Sequence, residues 1–598
     1  MSFLSILGLK TRRHITLAKR SDREYISSKE DFVPSNRREG LMRDFSGSVK
    51  WVGYSFPTPE HPFWHIRMAL SLDSSKRWKV ERLTTDGRWN RDFYVYNDGL
   101  LARRLEDDPF SVGEVMDGGA HTEVVMWVDW TPGSEHRVEF KLVSEDGEEG
   151  TLVHRSRAPE WGGRWDPAWR YYAGVVLREN AGLERRREPV HLTLGLYADR
   201  VSDPKRELRV VAVEPDSGRL SEVPSQVYEV SSWEERKDER YQPTVTCDLA
   251  FLADVPARSS RVYLVFYGNP DAPEPVYPTD LVLEGDDLEI TVDNSFYRMH
   301  TQPSSGCIDE VWIKMGVNRK YEHRLETNGA VQWNPGVYAP PRPWIHASDW
   351  NPPEGYSLIS GPVFVATKRW GNLPLYPEVF VSITYIFYRE NPYMLFSSVL
   401  EVKEDIDVQA LRNGEIVFNR EIMREFAWKG PDGSIGEVVI TEGPRHPKHA
   451  LRMEPDTPWV AFYNSELGCG FGGITLNLAE FRRDGGLVRK EYPFMYLAWG
   501  PWTYWSRVYT YSYGSNNPQR MIRVPGGSVY YERMAFLPFR LGREGCPEER
   551  FAYIDELQKR LADPLDVRVV MDTDERVPKV PEDWVPPILV EEFEEIEE

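Results

Sequence analysis

Leu288-Glu289-Ile290-Thr291-Val292-Asp293-Asn294-Ser295-Phe296-Tyr297-Arg298-Met299, followed by Gly306-Cys307-Ile308-Asp309-Glu310-Val311-Trp312-Ile313, is the stretch on which the fold turns. Apolar and polar residues alternate through a strand that carries Asp293-Asn294. An aromatic pair, Phe296-Tyr297, follows, and Gly306 opens a hairpin into a second alternating run. Two-residue periodicity of this kind belongs to half-buried strands, not to helices.

Outward from this stretch the same signature recurs. Val190-His191-Leu192-Thr193-Leu194-Gly195-Leu196 and Arg261-Val262-Tyr263-Leu264-Val265-Phe266-Tyr267 read as strands. Val124 to Trp130, a Pro132-Gly133 turn and His136 to Val143 read as a hairpin. Short strands at regular spacing predict a mainly β protein built from several sandwiches rather than a βαβ sheet. The expected units are an irregular basic arm over residues 1–45, a β-sandwich over 46–180 and a second over 187–268. The longest β region spans 279–541, and a helix with an acidic tail fills 547–598. The proline-rich segment Asn269 to Pro275 has linker composition. The one expected helix, Glu548 to Leu561, places Phe551, Ile554, Leu557 and Leu561 at helical spacing behind Pro547.

Composition narrows the function. The 598 residues carry 73 basic and 94 acidic side chains, a net charge of −21, which excludes nucleic acid as the main partner while leaving room for a local basic cleft. No run approaches the ~18 apolar residues of a membrane span, and the apolar start precedes its basic residues, the wrong order for a secretory signal. The chain as given therefore reads as cytoplasmic, or as extracellular if it is a mature or truncated form. Cys247, Cys307, Cys469 and Cys546 lie far apart without a C-x-x-C pair, so free buried thiols are expected. Abundant Arg and Glu, scarce Gln and 45 prolines favour a thermophilic source.

The opening stretch resembles the start of the galactose-mutarotase-like β-supersandwich of polysaccharide lyases and of the C-terminal parts of several glycoside hydrolases. Trp459 to Asn464 leading to Gly468-Cys469-Gly470-Phe471-Gly472, and Val524 to Arg533, resemble its closing strands. The resemblance covers residues 279–541 and points to no single named family. It implies carbohydrate work, with the upstream sandwiches as accessory or cleft-forming domains.

The densest polar and aromatic segment runs from His323-Arg324 through Trp333-Asn334-Pro335-Gly336-Val337-Tyr338 to Arg342-Pro343-Trp344-Ile345-His346 and Asp349-Trp350. Such a proline-rich, non-repetitive stretch reads as a long loop over a sheet, where binding sites gather. Indole faces stack on sugar rings, while amides and guanidinium groups fork to hydroxyls and carboxylates. The expected contacts are Trp333, Asn334, Trp344, Asp349 and Trp350, joined by Trp502 and Tyr504 beside the Gly500-Pro501 turn. The alternative is that Trp333, Trp344 and Trp350 plug a sandwich end.

Two chemistries fit. β-Elimination on a uronate-containing glycan, the leading expectation, needs a base, an acid and a cation on the carboxylate. His346 or His323 would be the base, Tyr338 the acid, and Arg342, Arg324 or Arg412 the neutraliser. Arg412-Asn413 reads as a polar break between strands, where Arg412 could equally pair with a nearby acid. Glycoside hydrolysis needs two carboxylates instead, with Asp349, Glu326, Glu415 and Asp432 closest to the segment. A carbohydrate-binding or surface-assembly protein without catalysis is the third reading. Arg507, Tyr509, Tyr511 and Tyr513 alternate onto one face, read as core in preference to a binding platform. The pair His446-x2-His449 lacks a third ligand, so no metal or other cofactor is expected; calcium held by oxygen atoms would leave no spacing signature. The expected partner is a poly- or oligosaccharide, with no nucleic acid and no membrane; oligomeric state is not legible.

Overall fold

In the computed structural model the described residues are 47–55, 64–72, 76–91, 93–97, 100–101, 115–116, 122–128, 134–157, 165–166, 168–214, 219–233, 244–314, 323–325, 335–419, 422–440, 451–454, 456–482, 494–499, 502–511, 521–542 and 546–571. Among them the protein is mainly β, in antiparallel sheets throughout. The two largest sheets form the supersandwich. A nine-stranded sheet runs in the order 355–359, 364–373, 376–388, 394–402, 528–540, 469–481, 459–464, 425–429, 435–439. Opposite it lies a six-stranded sheet in the order 345–346, 336–338, 410–419, 502–511, 494–499, 451–453. Between them sit Val337, Leu411, Ile416, Phe418, Trp505, Phe471, Met534 and Phe536, all at most 2% exposed. A further five-stranded sheet, 282–286, 289–293, 297–301, 308–313 and 323–325, closes the same core with Ile290, Val292, Tyr297 and Val311.

The Asp-Asn pair has a physical reason. Asn294, 2% exposed, donates from Nδ2 to the carbonyls of Tyr388 and Asn391 and accepts from the backbone N–H groups of Phe296 and Tyr297. It thus satisfies both the turn between the two strands and the neighbouring sheet's hairpin. The glycine cluster is strand, not nucleotide loop. Gly470 and Gly472 pair within Cys469–Phe481, and a Cβ on Gly470 would stand 2.5 Å from the Phe539 ring.

The back of the nine-stranded sheet is covered by the helix Ala552–Ala562, through Phe551, Ile554 and Leu557 against Trp459, Tyr463 and Phe539, and by Tyr228 and Ala250 of a three-stranded sheet. The expected single helix is two pieces, Pro547–Arg550 and Ala552–Ala562, because Phe551 leaves helical geometry to plug the sheet. Beyond it the strand Asp566–Met571 pairs with Tyr171–Arg178, so the C-terminal segment ties the supersandwich to the preceding unit. That unit packs the sheet 220–223, 209–213, 260–267, 171–178, 566–571 on the three-stranded sheet 185–197, 244–255, 225–233 around Val175, Leu192, Leu249 and Val265.

In the N-terminal unit the sheet 47–55, 64–72, 122–128, 93–97, 100–101 faces the sheet 149–157, 135–144, 78–85, 88–90. The expected hairpin across Pro132-Gly133 is not formed. Thr122–Val128 pairs with Trp64–Leu72 and Phe93–Asn97, whereas Glu135–Ser144 pairs with Glu149–Arg157 and Trp78–Thr85, so the two arms belong to different sheets. Cys247, Cys307 and Cys469 are buried free thiols, and Cys546 is half-buried.

Candidate functional site

Strands present alternate residues to opposite faces. In the six-stranded sheet Val337, Ile345, Ile416 and Trp505 point into the core. Tyr338, His346, Glu415 and Ser506 therefore point to the outer face, joined there by Arg412. Arg412 is not in a break between strands. It lies inside Ala410–Asn419, where the register against Trp502–Tyr511 shifts on either side of it. Such a bulge re-aims a side chain, and here it turns the guanidinium along the outer face.

Arg412 donates from Nη1 to Glu415 Oε1 at 2.7 Å and from Nη2 to Glu415 Oε2 at 3.2 Å. Ser506 Oγ donates to Glu415 Oε1 at 2.7 Å. Glu415 is 1% exposed, so this carboxylate is sealed beneath its donors. Arg412 Nη2 also lies 3.0 Å from His346 Nε2. A guanidinium has no acceptor, so Nε2 accepts and the neutral imidazole carries its proton on Nδ1. That nitrogen is 3.7 Å from Asp349 Oδ2, which also accepts the His346 backbone N–H at 2.8 Å. Burial holds the His346 pKa below its ordinary value, and the Arg412 charge acts in the same direction against the opposing pull of Asp349. Burial alone would raise the Asp349 carboxyl; the nearby His346 ring and the hydrogen bond from the His346 backbone outweigh it and keep the group below its usual pKa.

Three rings lie parallel beside this cluster. Tyr338 stacks on Trp344 at 5.2 Å and 11°, and Trp344 on His346 at 5.6 Å and 4°. The Arg412 guanidinium carbon stands 4.6 Å from the Trp344 ring centroid. The row is possible because Gly336 faces His346 across the ladder. A Cβ there would come within 2.4 Å of the imidazole Cδ2. Trp344 and Tyr338 are half-buried and Asp349 is exposed, so the cluster opens to solvent at that end.

Thus the fold brings together His346, Tyr338, Trp344, Asp349, Arg412 and Glu415 of the sequence candidates. Arg342 is held elsewhere: it donates to both oxygens of Glu378 at 3.0 Å and lies over the Tyr376 ring. Trp350 is a correction. At 2% exposure, with its indole N–H donating to the Asn372 carbonyl, it is core and has no face for a sugar. His323 lies in a strand of the five-stranded sheet, separate from the sheet carrying His346. Tyr504 is half-buried in the strand that Trp502 opens. Trp333, Asn334, Glu326 and the pair His446 and His449 lie outside the described residues. Asp432 caps an exposed turn at Ser434. Ser506 and Gly336 were missed, since only strand register puts them beside Glu415 and His346. Arg507 and Tyr509 turn inward, Arg507 onto Glu532 and Tyr509 onto Tyr530, as the core reading of that alternation expects. No group of three or more metal-ligating side chains occurs among the described residues.

No family model matches the sequence, and no curated protein matches it. Among solved structures, an α-mannosidase from Enterococcus faecalis V583 is similar at 11% identity over 68% of this chain, with a TM-score of 0.40. A protein in glycosyl hydrolase family 38 from Enterococcus faecalis gives 10% identity over 68% and a TM-score of 0.41. A galactose mutarotase-like protein from Lactobacillus casei ATCC 334 is covered over 100% of its own chain by 42% of this one, at 9% identity and a TM-score of 0.26. The chain spans about half the length of the two Enterococcus proteins, 46% and 48%. The likeness is thus to galactose mutarotase-like proteins and glycoside hydrolases, at low identity and over part of the chain.

Proposed function

We propose that the protein is carbohydrate-active, binding a glycan against the outer face of the six-stranded sheet, and that its chemistry there is hydrolysis of a glycosidic bond rather than β-elimination. The observation that carries the choice is the state of Arg412 and Arg342, the third candidate, Arg324, lying with His323 in the separate five-stranded sheet. Elimination from a uronate needs a cation available to its carboxylate. Arg412 is forked on Glu415 and Arg342 on Glu378, so each already neutralises a carboxylate of the protein. Hydrolysis asks instead for an ionised carboxylate facing the sugar. Asp349 fits that role, being exposed and kept ionised beside a neutral His346. Tyr338 and Trp344 supply ring surface for the glycan.

One observation favours the second reading, binding without cleavage. Asp309, Glu480 and Glu532 are carboxyls whose pKa is raised, as a proton donor's would be, and these three lie outside the His346 cluster. The test is incubation with acidic and neutral polysaccharides, following reducing ends and absorbance at about 235 nm, where unsaturated uronates absorb. Hydrolysis raises reducing ends alone, and Asp349→Asn then lowers turnover about 100-fold or more while the glycan is still bound. A rise at both readouts contradicts hydrolysis in favour of elimination. Binding without either signal establishes the second reading.

A further inference from the structure

The N-terminal unit carries a surface that the supersandwich site does not use. Its sheet of strands 149–157, 135–144, 78–85 and 88–90, with the short strand 115–116 also paired to 78–85, buries one face, with Val80, Leu83, Phe140, Leu142 and Leu152 at most 5% exposed, and leaves the other to solvent. Register lays out that outer face in rows. Trp89 pairs with Thr84, Thr84 with Glu139 and Glu139 with Val153, a row that crosses four of the strands. Trp89 is 52% exposed and Val153 46%. On one side of the row Arg82 faces Lys141, and on the other Arg137 faces Arg155.

Like charges directly opposite in a sheet are destabilising. Here two such pairs share one face of a chain whose net charge is −21. Lys141 is answered by Glu81 and Glu149, and Arg137 by Glu139. Arg82 and Arg155 have no carboxylate within ion-pair distance among the described residues; Arg82 instead lies over Trp89, 5.7 Å from its ring, with Arg91 at 3.9 Å. A solvent-facing indole flanked by guanidinium groups offers ring stacking together with forked hydrogen bonds to a carboxylate.

We infer that this face is an accessory binding surface for a uronate-bearing polysaccharide. The glycan lies along the Trp89–Val153 row, its carboxylates reaching Arg82 on one side and Arg155 on the other. A nucleic acid suits the face less well. Among the described residues Trp89 is the one exposed large ring on this face, whereas single-stranded nucleic acid is held by stacking successive bases on several rings. The surface is independent of the His346 cluster.

Affinity electrophoresis of the full chain through polygalacturonate, through dextran and with oligo(dT) tests the inference. Expected is retardation by polygalacturonate, weakened by salt, with none by dextran. Trp89→Ala and the double variant Arg82→Gln/Arg155→Gln should each weaken it about tenfold or more. Trp89 and both arginines are exposed, so unchanged circular dichroism is expected. Trp344→Ala, which removes ring surface from the His346 cluster, should be retarded by polygalacturonate like wild type, which separates this surface from that site. Absence of retardation, equal retardation of both variants, or stronger binding of oligo(dT) would each overturn the inference.

Discussion

Among the described residues an ion pair lies on each face of the six-stranded sheet, and the two behave differently. Ser506 and Arg507 are neighbours on one strand. Ser506 points outward to Glu415 and its partner Arg412, while Arg507 points into the sandwich and donates to Glu532 at 2.5 Å and to Thr475 at 3.0 Å. Outside, each oxygen of Glu415 meets a donor, and the cluster passes through His346 to the exposed Asp349. Inside, Arg507 and Glu532 are both 0% exposed, and the second oxygen of Glu532 has no hydrogen-bond partner. Glu480, nearby and 5% exposed, also leaves an oxygen unpartnered. Charge at the outer face reaches solvent through Asp349. Charge at the inner face is held at a cost, with Arg507 joining the two sheets through Glu532.

The largest effect should follow from breaking the inner pair. Arg507→Met leaves Glu532 buried without its cation and should lower unfolding free energy by about 3–5 kcal/mol, read by urea denaturation. The outer pair should cost less stability and more function. Glu415→Gln removes one charge from a cluster that reaches solvent, so about 1–3 kcal/mol is expected. It also frees Arg412 to swing from His346, so glycan affinity should fall more steeply than thermal stability. Equal losses at the two faces would break the comparison.

A smaller, pH-dependent effect sharpens it. Burial pushes the Glu480 carboxyl up from 4.5 to about 8, partly offset by Arg507. The folded state therefore holds a proton that the unfolded chain releases near its ordinary value. This contribution to stability is complete below the unfolded pKa and is lost as pH rises through the folded one, between 4.5 and about 8. Glu480→Gln should flatten the fall in stability across that window. An unchanged pH profile would show that Glu480 is not buried in the way described.

The β class was legible because alternation marks a half-buried strand whatever it pairs with. Pairing partners were not. Pro132-Gly133 suggests a turn, yet turn chemistry does not say whether the flanking strands share a sheet, and here they belong to facing ones. The site was legible as a segment, since Tyr338, Trp344, His346 and Asp349 fall within twelve residues. Its long-range half was not, because His346 meets Arg412 across 66 positions and through a bulge that no local pattern announces. Trp350 misled for the opposite reason. Tryptophan in a polar loop suits stacking and plugging equally, and only its buried indole and bond to Asn372 decide between them.

The central claim is that a glycan lies against the outer face of the six-stranded sheet. It is tested most directly by titrating an oligosaccharide from the best-bound polysaccharide into wild type and Trp344→Ala, following binding by calorimetry and folding by thermal melting. The account expects affinity to fall about tenfold or more, with little change in the melting temperature because Trp344 is half-buried at the surface. Equal affinity in the two proteins, with both folded, would contradict it.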